Sequence, residues 1–296
     1  MKNVFRWLAA FLMAVCAVFV LSACGGSAKS AAPAAGGSEL TVRVLDIGQG
    51  DAILLGKDGK WALIDSGDVD HRPQMQAYLQ KYGIKELSNV IITHPHADHV
   101  GGMAAVFKAV KVDDIYDNGV PTTTNTYRTY LKTIKAKNIN YHKTKAGDTI
   151  AILPGVDFHV VAPVKILTEG KAGKPAMNSN SIVGRLSYGN FSMLFTGDAE
   201  KDEEKTILNS GAAIKSDVLK VGHHGSKTSS GTDFLKAVGP KLAVISAGRG
   251  NSYGLPHDVT LKNLSKAGIK VLRTDQDGTI TITSTGSGDY SVKKEK

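Results

Sequence analysis

Thr93-His94-Pro95-His96-Ala97-Asp98-His99-Val100-Gly101-Gly102 gathers three imidazoles and a carboxylate between positions 94 and 99, in a chain that has nine histidines in all. The cluster follows Val90-Ile91-Ile92, a short apolar run of buried-strand character, and precedes Met103 to Val110, whose composition is helical. It therefore occupies a strand-to-helix loop. A solvated loop rarely spends three side chains on imidazole, and a buried histidine is ordinarily single, so the pattern reads as a metal site. Neutral imidazoles with a carboxylate suit zinc, manganese or iron. His94 and His96 project from one side of an extended segment, whereas Asp98 and His99 begin the helix and point elsewhere, so the four residues can serve two ions. A dinuclear centre, its ions about 3.5–4 Å apart, needs a bridging carboxylate. Asp198, at a strand end in Thr196-Gly197-Asp198, is the candidate bridge. The pair His223-His224 lies between Gly222 and Gly225, and neighbouring side chains at an extended strand end diverge. One of the two is expected on the metal: His224 is chosen, with His223 facing the substrate.

Outward from this loop the same alternation recurs. Between Leu40 and Gly67, three apolar runs broken by Gly48, Gly50, Gly56 and Gly59 read as strands of a meander. Helices are predicted over Arg72 to Lys81, where Met75, Tyr78 and Leu79 share a face, and over Tyr127 to Lys137. Strands near Thr149 to Leu153 and Asp157 to Ala162 lead into a loop from Glu169 to Ser181. The second half gives strands at Phe191 to Phe195, Val218 to Val221 and Leu242 to Ile245. Helices are expected at Glu200 to Leu208, Asp233 to Ala237 and Val259 to Ala267, and a C-terminal hairpin around Gly278. Strands and helices alternating in two halves predict an α/β (α+β) chain folded as an αββα sandwich, two sheets face to face with helices outside.

The first residues differ in kind. Lys2 and Arg6 precede or flank an apolar run from Trp7 to Leu21 that contains no acid, the pattern of a signal-peptide core. An uncleaved anchor is the other reading, although a membrane helix needs about 20 apolar residues. Leu21-Ser22-Ala23-Cys24 resembles the lipobox of bacterial lipoproteins, which favours cleavage and lipidation of Cys24. The expected organisation is a signal peptide over 1–23, lipidated Cys24 with a Gly/Ser/Ala-rich tether over 24–38, and one hydrolase domain over 39–296. That places the domain on the outer face of a cell membrane, held by its acyl chains. The only other cysteine, Cys16, falls in the leader, which excludes a disulfide framework and a cysteine metal site. The net charge is +9, and +9 less Lys2 and Arg6 for the mature part. Such a surface either attracts polyanions, namely nucleic acid, teichoic acid or anionic lipid, or merely solubilises the domain; the scattered lysines leave both open.

Thr93 to Gly102 resembles the His-x-His-x-Asp-His signature of the metallo-β-lactamase superfamily. Leu45-Asp46-Ile47-Gly48-Gln49-Gly50-Asp51-Ala52 is similar to the opening motif of the hydrolase domain of ComEC-type competence proteins. The likeness continues through Leu63-Ile64-Asp65-Ser66-Gly67, Asn178 with Ser181, Leu194 to Glu200, Leu219 to Ser226, and Asn251-Ser252-Tyr253-Gly254. It implies that His94 and His96 hold one metal, that Asp98, His99 and His224 hold the other, and that Asp198 bridges them. The two divalent ions, Zn²⁺ or Mn²⁺, would activate a water as nucleophile. Asp65 would orient a histidine, while His223, Asn178, Ser181 and Ser226 would line the substrate side. Two departures stand out. The histidine that β-lactamases place ahead of the bridging aspartate is replaced by Asn178-Ser179-Asn180-Ser181, and near Asn251 the order is Gly254-Leu255-Pro256-His257, so that His257 is a candidate compensating residue.

These features predict a metal-dependent phosphodiesterase, a nuclease acting on DNA outside the membrane with Asp98 and His223 catalytic. Uptake of DNA would need a channel as partner, because no later segment is a transmembrane candidate. Two alternatives are a hydrolase of another surface phosphodiester, such as phosphorylcholine-decorated teichoic acid, and a non-catalytic DNA-binding competence accessory. The former needs an aromatic choline cage, for which a 6% aromatic content gives little support. The latter would not need Asp98, Asp198 and His224 together.

Overall fold

Strands β1 (Leu40–Val44), β2 (Ala52–Lys57) and β3 (Lys60–Ser66) form the predicted antiparallel meander. These and all later elements are taken from a computed structural model that describes residues 38–167 and 176–296. The expected leader, Cys24 and all but the last tether residue lie outside the described residues, as does much of the loop expected from Glu169. Pro73 opens α1 (Arg72–Lys81), where its missing N–H costs nothing, and Met75 and Leu79 are buried beneath it.

Next come β4 (Glu86–Ile92), the short α2 (Ala97–Val100) and α3 (Met103–Ala109), β5 (Lys111–Asp117), α4 (Asn125–Ala136) and β6 (Asn140–Lys143). Thr124 caps α4 by accepting a hydrogen bond from the Tyr127 N–H, and the helix buries Tyr127, Tyr130 and Ile134 on one face. Strands β7 (Thr149–Leu153), β8 (Val156–Ala162), β9 (Val183–Tyr188) and β10 (Phe191–Phe195) run antiparallel. Then α5 (Lys201–Ser210), β11 (Val218–Lys220), α6 (Thr232–Val238), β12 (Leu242–Ile245), α7 (Asp258–Lys266) and β13 (Lys270–Arg273) alternate, so that β10 to β13 are parallel. A turn of helix, α8 (Thr274–Asp277), leads to β14 (Ile280–Ser284) and β15 (Ser291–Lys294).

One sheet has the order β15-β14-β1-β2-β3-β4-β5-β6 and the other β13-β12-β11-β10-β9-β8-β7. Val42, Val44, Ile53, Ile64 and Ile91 of the first meet Phe158, Met193, Phe195, Val218 and Val244 of the second in an inter-sheet core. The opposite face of the first sheet packs on α1, α3 and α4 through Met75, Leu79, Val106 and Tyr130. That of the second packs on α5, α6 and α7 through Ile207, Phe234 and Leu264. This is the predicted αββα sandwich.

Two local expectations change. Gly278 does not turn a hairpin; it ends α8, whose start is tied down by Asp277 accepting the Arg273 N–H, and the hairpin turn lies between β14 and β15. Within the loop ending at Ser181, Asn178–Asn180 forms a 3-10 turn. Among the described residues, no helix is long and apolar enough to cross a membrane.

Candidate metal centre

Every segment that carries a candidate ligand leaves the C-terminal end of a strand that is parallel to a neighbour. Asp65 lies at the end of β3, the His94–His99 loop follows β4, Asp198 follows β10, and the Gly222–Gly225 turn follows β11. There the backbone turns sharply: Gly197 has φ 48° and a Cβ on it would meet Thr93 at 2.8 Å. The strand-to-helix loop brings the ligands together because β4 and β10 belong to different sheets whose ends meet at this rim.

The side chains fall into two groups that share Asp198: His94, His96 and Asp198 in one, Asp98, His99, Asp198 and His224 in the other, each with ligand atoms within 4.8 Å of one another. Asp198 Oδ2 is 3.7 Å from His94 Nε2, while its Oδ1 is 3.3 Å from His99 Nε2 and 3.6 Å from His224 Nε2. Asp98 Oδ2 lies 3.2 Å from His224 Nε2 and 3.9 Å from His99 Nε2. His94 Nε2 is 2.9 Å from His96 Nδ1.

His99 Nε2 and Asp198 Oδ1 are buried and have no hydrogen-bond partner among the described residues. Buried polar atoms are nearly always satisfied, so two orphans facing a common point call for a cation. The charges agree. Burial alone would keep His99 neutral, but Asp198, Asp65 and Asp98 overcome it and hold the imidazole well above its ordinary value, so the pocket draws positive charge. Burial and the neighbouring charge on His99 push His94 well below its ordinary value, which leaves it a neutral donor. Burial works against ionisation of Asp98 and Asp198 as well, yet the imidazoles prevail and hold both carboxylates below the usual range. His94 and the two carboxylates are thus in the donor forms a divalent ion requires, and the carboxylates also hold His99 and His224 above their ordinary values, so a bound ion would displace protons there; the donor set fits such ions.

Behind the ligands stand orienting groups. Asp65, fully buried at φ 55°, accepts the Thr93 N–H at 2.8 Å and the Thr93 hydroxyl at 2.7 Å, and its Oδ2 is 2.7 Å from His99 Nδ1. That leaves Nε2 of His99 turned to the centre. His224 Nδ1 lies 3.1 Å from the Ser246 carbonyl, with Nε2 turned inward.

The turn that carries the two histidines is not the extended strand end expected from its sequence. His223 (φ 47°) and His224 (φ 53°) are both left-handed, so the chain curls and both rings reach the rim: His223 Nε2 is 3.8 Å from Asp198 Oδ2 yet belongs to neither ligand group. Asn178 sits beside His223, its Nδ2 3.4 Å from the ring. Ser181 does not line the substrate side. It is fully buried behind the ligands, its hydroxyl accepting the Asp198 N–H at 3.1 Å and lying 3.4 Å from His94 Nδ1. Ser226 is also buried: its N–H donates to the His223 carbonyl at 2.8 Å and its hydroxyl lies 3.0 Å from that of Thr228, which is 3.1 Å from His223 Nδ1. Asn251 organises its own loop, donating to the Gly248 and Leu255 carbonyls. His257 accepts the Lys227 N–H at 3.0 Å and is in neither group, so it does not replace the missing ligand.

Sequence reasoning missed Glu200 and Thr228, which flank His223; Glu200 Oε1 is 3.4 Å from its Nδ1. It also missed a buried ion pair between Asp51 and Lys220. Asp51, Glu200 and Lys220 stand within motifs already quoted, but no spacing along the chain relates them to one another.

Residues 45–249 match the Metallo-beta-lactamase superfamily, and the chain belongs to that superfamily. It is a metal-dependent hydrolase by family, with histidine and aspartate clusters suited to divalent ions. Among curated proteins it is 35% identical to ComE operon protein 3 of Bacillus subtilis (strain 168) over 82% of this chain and 33% of that one. It is 32% identical to Recombination protein 2 of Haemophilus influenzae over 81% and 28%, and 30% identical to Competence protein ComA of Neisseria gonorrhoeae over 88% and 34%. The chain thus spans about a third of the length of these relatives. Of solved structures, the metallo-beta-lactamase fold protein YhfI from Bacillus subtilis superposes with a TM-score of 0.55 at 13% identity, covering 83% of this chain and 100% of that one. A CmlA beta-hydroxylase mutant does so at 0.54 and 12%, covering 82% and 53%. At such identities the likeness concerns the fold alone.

Proposed function

We propose that this protein is a phosphodiesterase that cleaves DNA at the outer surface of a bacterial membrane, to which Cys24 anchors it. One observation carries the reading: Asp198 presents one oxygen to each of two ligand groups, 3.7 Å from His94 and 3.3 Å from His99. Such a shared carboxylate suits a pair of divalent ions, Zn²⁺ or Mn²⁺, held by His94, His96, Asp98, His99, Asp198 and His224, which would supply a water of lowered pKa and positive charge beside a phosphodiester. Asp98, 28% exposed and the most open of the ligand carboxylates, orients the attacking water by accepting a hydrogen bond from it. His223, 25% exposed, holds a proton on Nε2 for the departing oxygen, with Nδ1 steadied by Glu200 and Thr228. Relatives named for recombination and competence support a nucleic acid as substrate, and the basic net charge suits a polyanion. A role in uptake would add a membrane channel as partner.

The test incubates the protein with single- and double-stranded DNA in Mn²⁺, Zn²⁺ or EDTA, with Asp98→Ala as control. Cleavage that requires the ion and disappears in the variant is expected. If DNA stays intact while bis-p-nitrophenyl phosphate is hydrolysed, the substrate is another phosphodiester, teichoic acid included. Inertness toward both defeats the phosphodiesterase reading.

A further inference from the structure

Lys220 and Asp51 are 0% and 1% exposed and pair at 2.7 Å, although neither belongs with the ligand groups that share Asp198. Burying two charges costs desolvation that their attraction repays poorly, and apolar residues of similar size generally stabilise a fold as well or better. Stability therefore does not account for the pair. Its position does.

Val218 of β11 points into the inter-sheet core, and Lys220, two residues on, points the same way, toward the sheet that holds Asp51 just ahead of β2. The pair thus bridges the two sheets under the metal centre. Asp51 donates its N–H to the Asp98 carbonyl at 3.1 Å and accepts the Gly67 N–H at 2.7 Å. Lys220 Nζ donates to the carbonyl of Val221 at 3.0 Å, at the root of the histidine turn, and its own carbonyl accepts the Thr196 hydroxyl at 2.7 Å, two residues before Asp198. Asp51 Oδ1, buried and without a hydrogen-bond partner among the described residues, lies 3.7 Å from His224 Nδ1. Nδ1 makes its hydrogen bond to the Ser246 carbonyl at 3.1 Å, with Asp51 beside that bond. Nε2 faces the carboxylates of Asp98 and Asp198, so an ion there would take the place of a proton on Nε2 while Nδ1 keeps its own toward Ser246 and Asp51.

We propose that the Lys220–Asp51 pair is a positioning device for the metal centre, with Lys220 holding Asp51 against the Asp98 loop and behind His224 so that Asp98 and His224 Nε2 converge on one ion. The inference rests on the metal-centre reading. Asp65 stands behind His99 from within the first sheet, but by a direct hydrogen bond at 2.7 Å, where Asp51 acts on His224 from 3.7 Å.

The test compares the full chain with the double variant Asp51→Leu/Lys220→Met and with Lys220→Arg. Zinc affinity is measured by chelator competition, melting is followed without metal, and the histidine ring nitrogens are read by ¹⁵N NMR with and without zinc. The double variant should keep the metal-free melting temperature of the wild type yet bind zinc about 10–100-fold more weakly, with a smaller zinc-induced ¹⁵N shift at His224 Nε2, while Lys220→Arg stays close to wild type. Wild-type affinity and a wild-type zinc-induced shift in the double variant overturn the proposal. If that variant does not fold, Asp51→Asn, which keeps the size of the side chain, decides: weaker zinc binding supports the proposal and wild-type affinity refutes it. A wild type that binds no zinc removes the metal centre and the inference together, whereas tight wild-type binding with an unaffected variant removes the inference alone.

Discussion

Replacing Asp65 with Asn should invert the ring of His99 without disturbing the backbone. Asn tolerates the φ of 55° found at this position, so no strain is added. Its carbonyl oxygen can still accept the Thr93 N–H that Asp65 Oδ1 accepts at 2.8 Å. The amide NH₂ then occupies the place of Oδ2, 2.7 Å from His99 Nδ1, and two donors cannot face each other there. His99 must accept at Nδ1 and carry its proton on Nε2, the atom that faces Asp198 Oδ1 at 3.3 Å. An N–H cannot ligate. Loss of this support is worth about 10–100-fold in metal affinity, or about 1.4–2.7 kcal/mol. Exchanging a hydrogen bond to a charged acceptor for a neutral one removes a further ~1–2 kcal/mol of fold stability, a shift of about 2–8 °C in melting for a domain of this size. Chelator competition gives the first quantity and metal-free calorimetry the second. Zinc bound by Asp65→Asn as tightly as by the wild type would refute the assignment of Asp65 as the group that sets the His99 tautomer.

The two neighbouring histidines should separate. His224→Ala is expected to lower bound metal, measured by atomic emission, whereas His223→Ala should leave metal content intact and slow turnover about 10²–10⁴-fold toward poor leaving groups. Gly50→Ala should disturb the centre from outside it, because a Cβ at φ 138° would meet the Asp98 carbonyl at 2.4 Å; reduced zinc affinity checks this, and unchanged affinity means that the Asp98 loop yields. Burial pushes Glu204, which accepts the N–H groups of Ser230 and Gly231, from 4.5 up to about 7. The folded state thus holds this proton more tightly than the unfolded chain, and stability should fall by roughly 1–3 kcal/mol as pH rises from about 4.5 to 7, then level off. Urea midpoints at pH 5 and pH 8 should show the fall, and Glu204→Gln should flatten it.

The run from Thr93 to Gly102 supplied four candidate ligands, because imidazoles at i, i+2 and i+5 leave few other readings, while its resemblance to the superfamily signature and the alternation of apolar runs with glycine-rich turns indicated the fold class and placed most of the strands and helices they named within a residue or two. Local pattern was sufficient there because each element is short and its hydrophobic period repeats. It was insufficient wherever the decisive neighbour comes from the other sheet. Ser181 was assigned to the substrate side, but β10 arrives above it and buries it under Asp198. His223 and His224 were placed on an extended strand end, but packing against the rim curls both into the left-handed region and turns both rings inward. Glu200 beside His223, and Asp51 against Lys220, are contacts across a sandwich that no spacing in the chain encodes. Chemistry that depends on residue type was written in the sequence. Orientation, burial and the choice of which ring nitrogen faces the centre were decided only when the two sheets closed on each other.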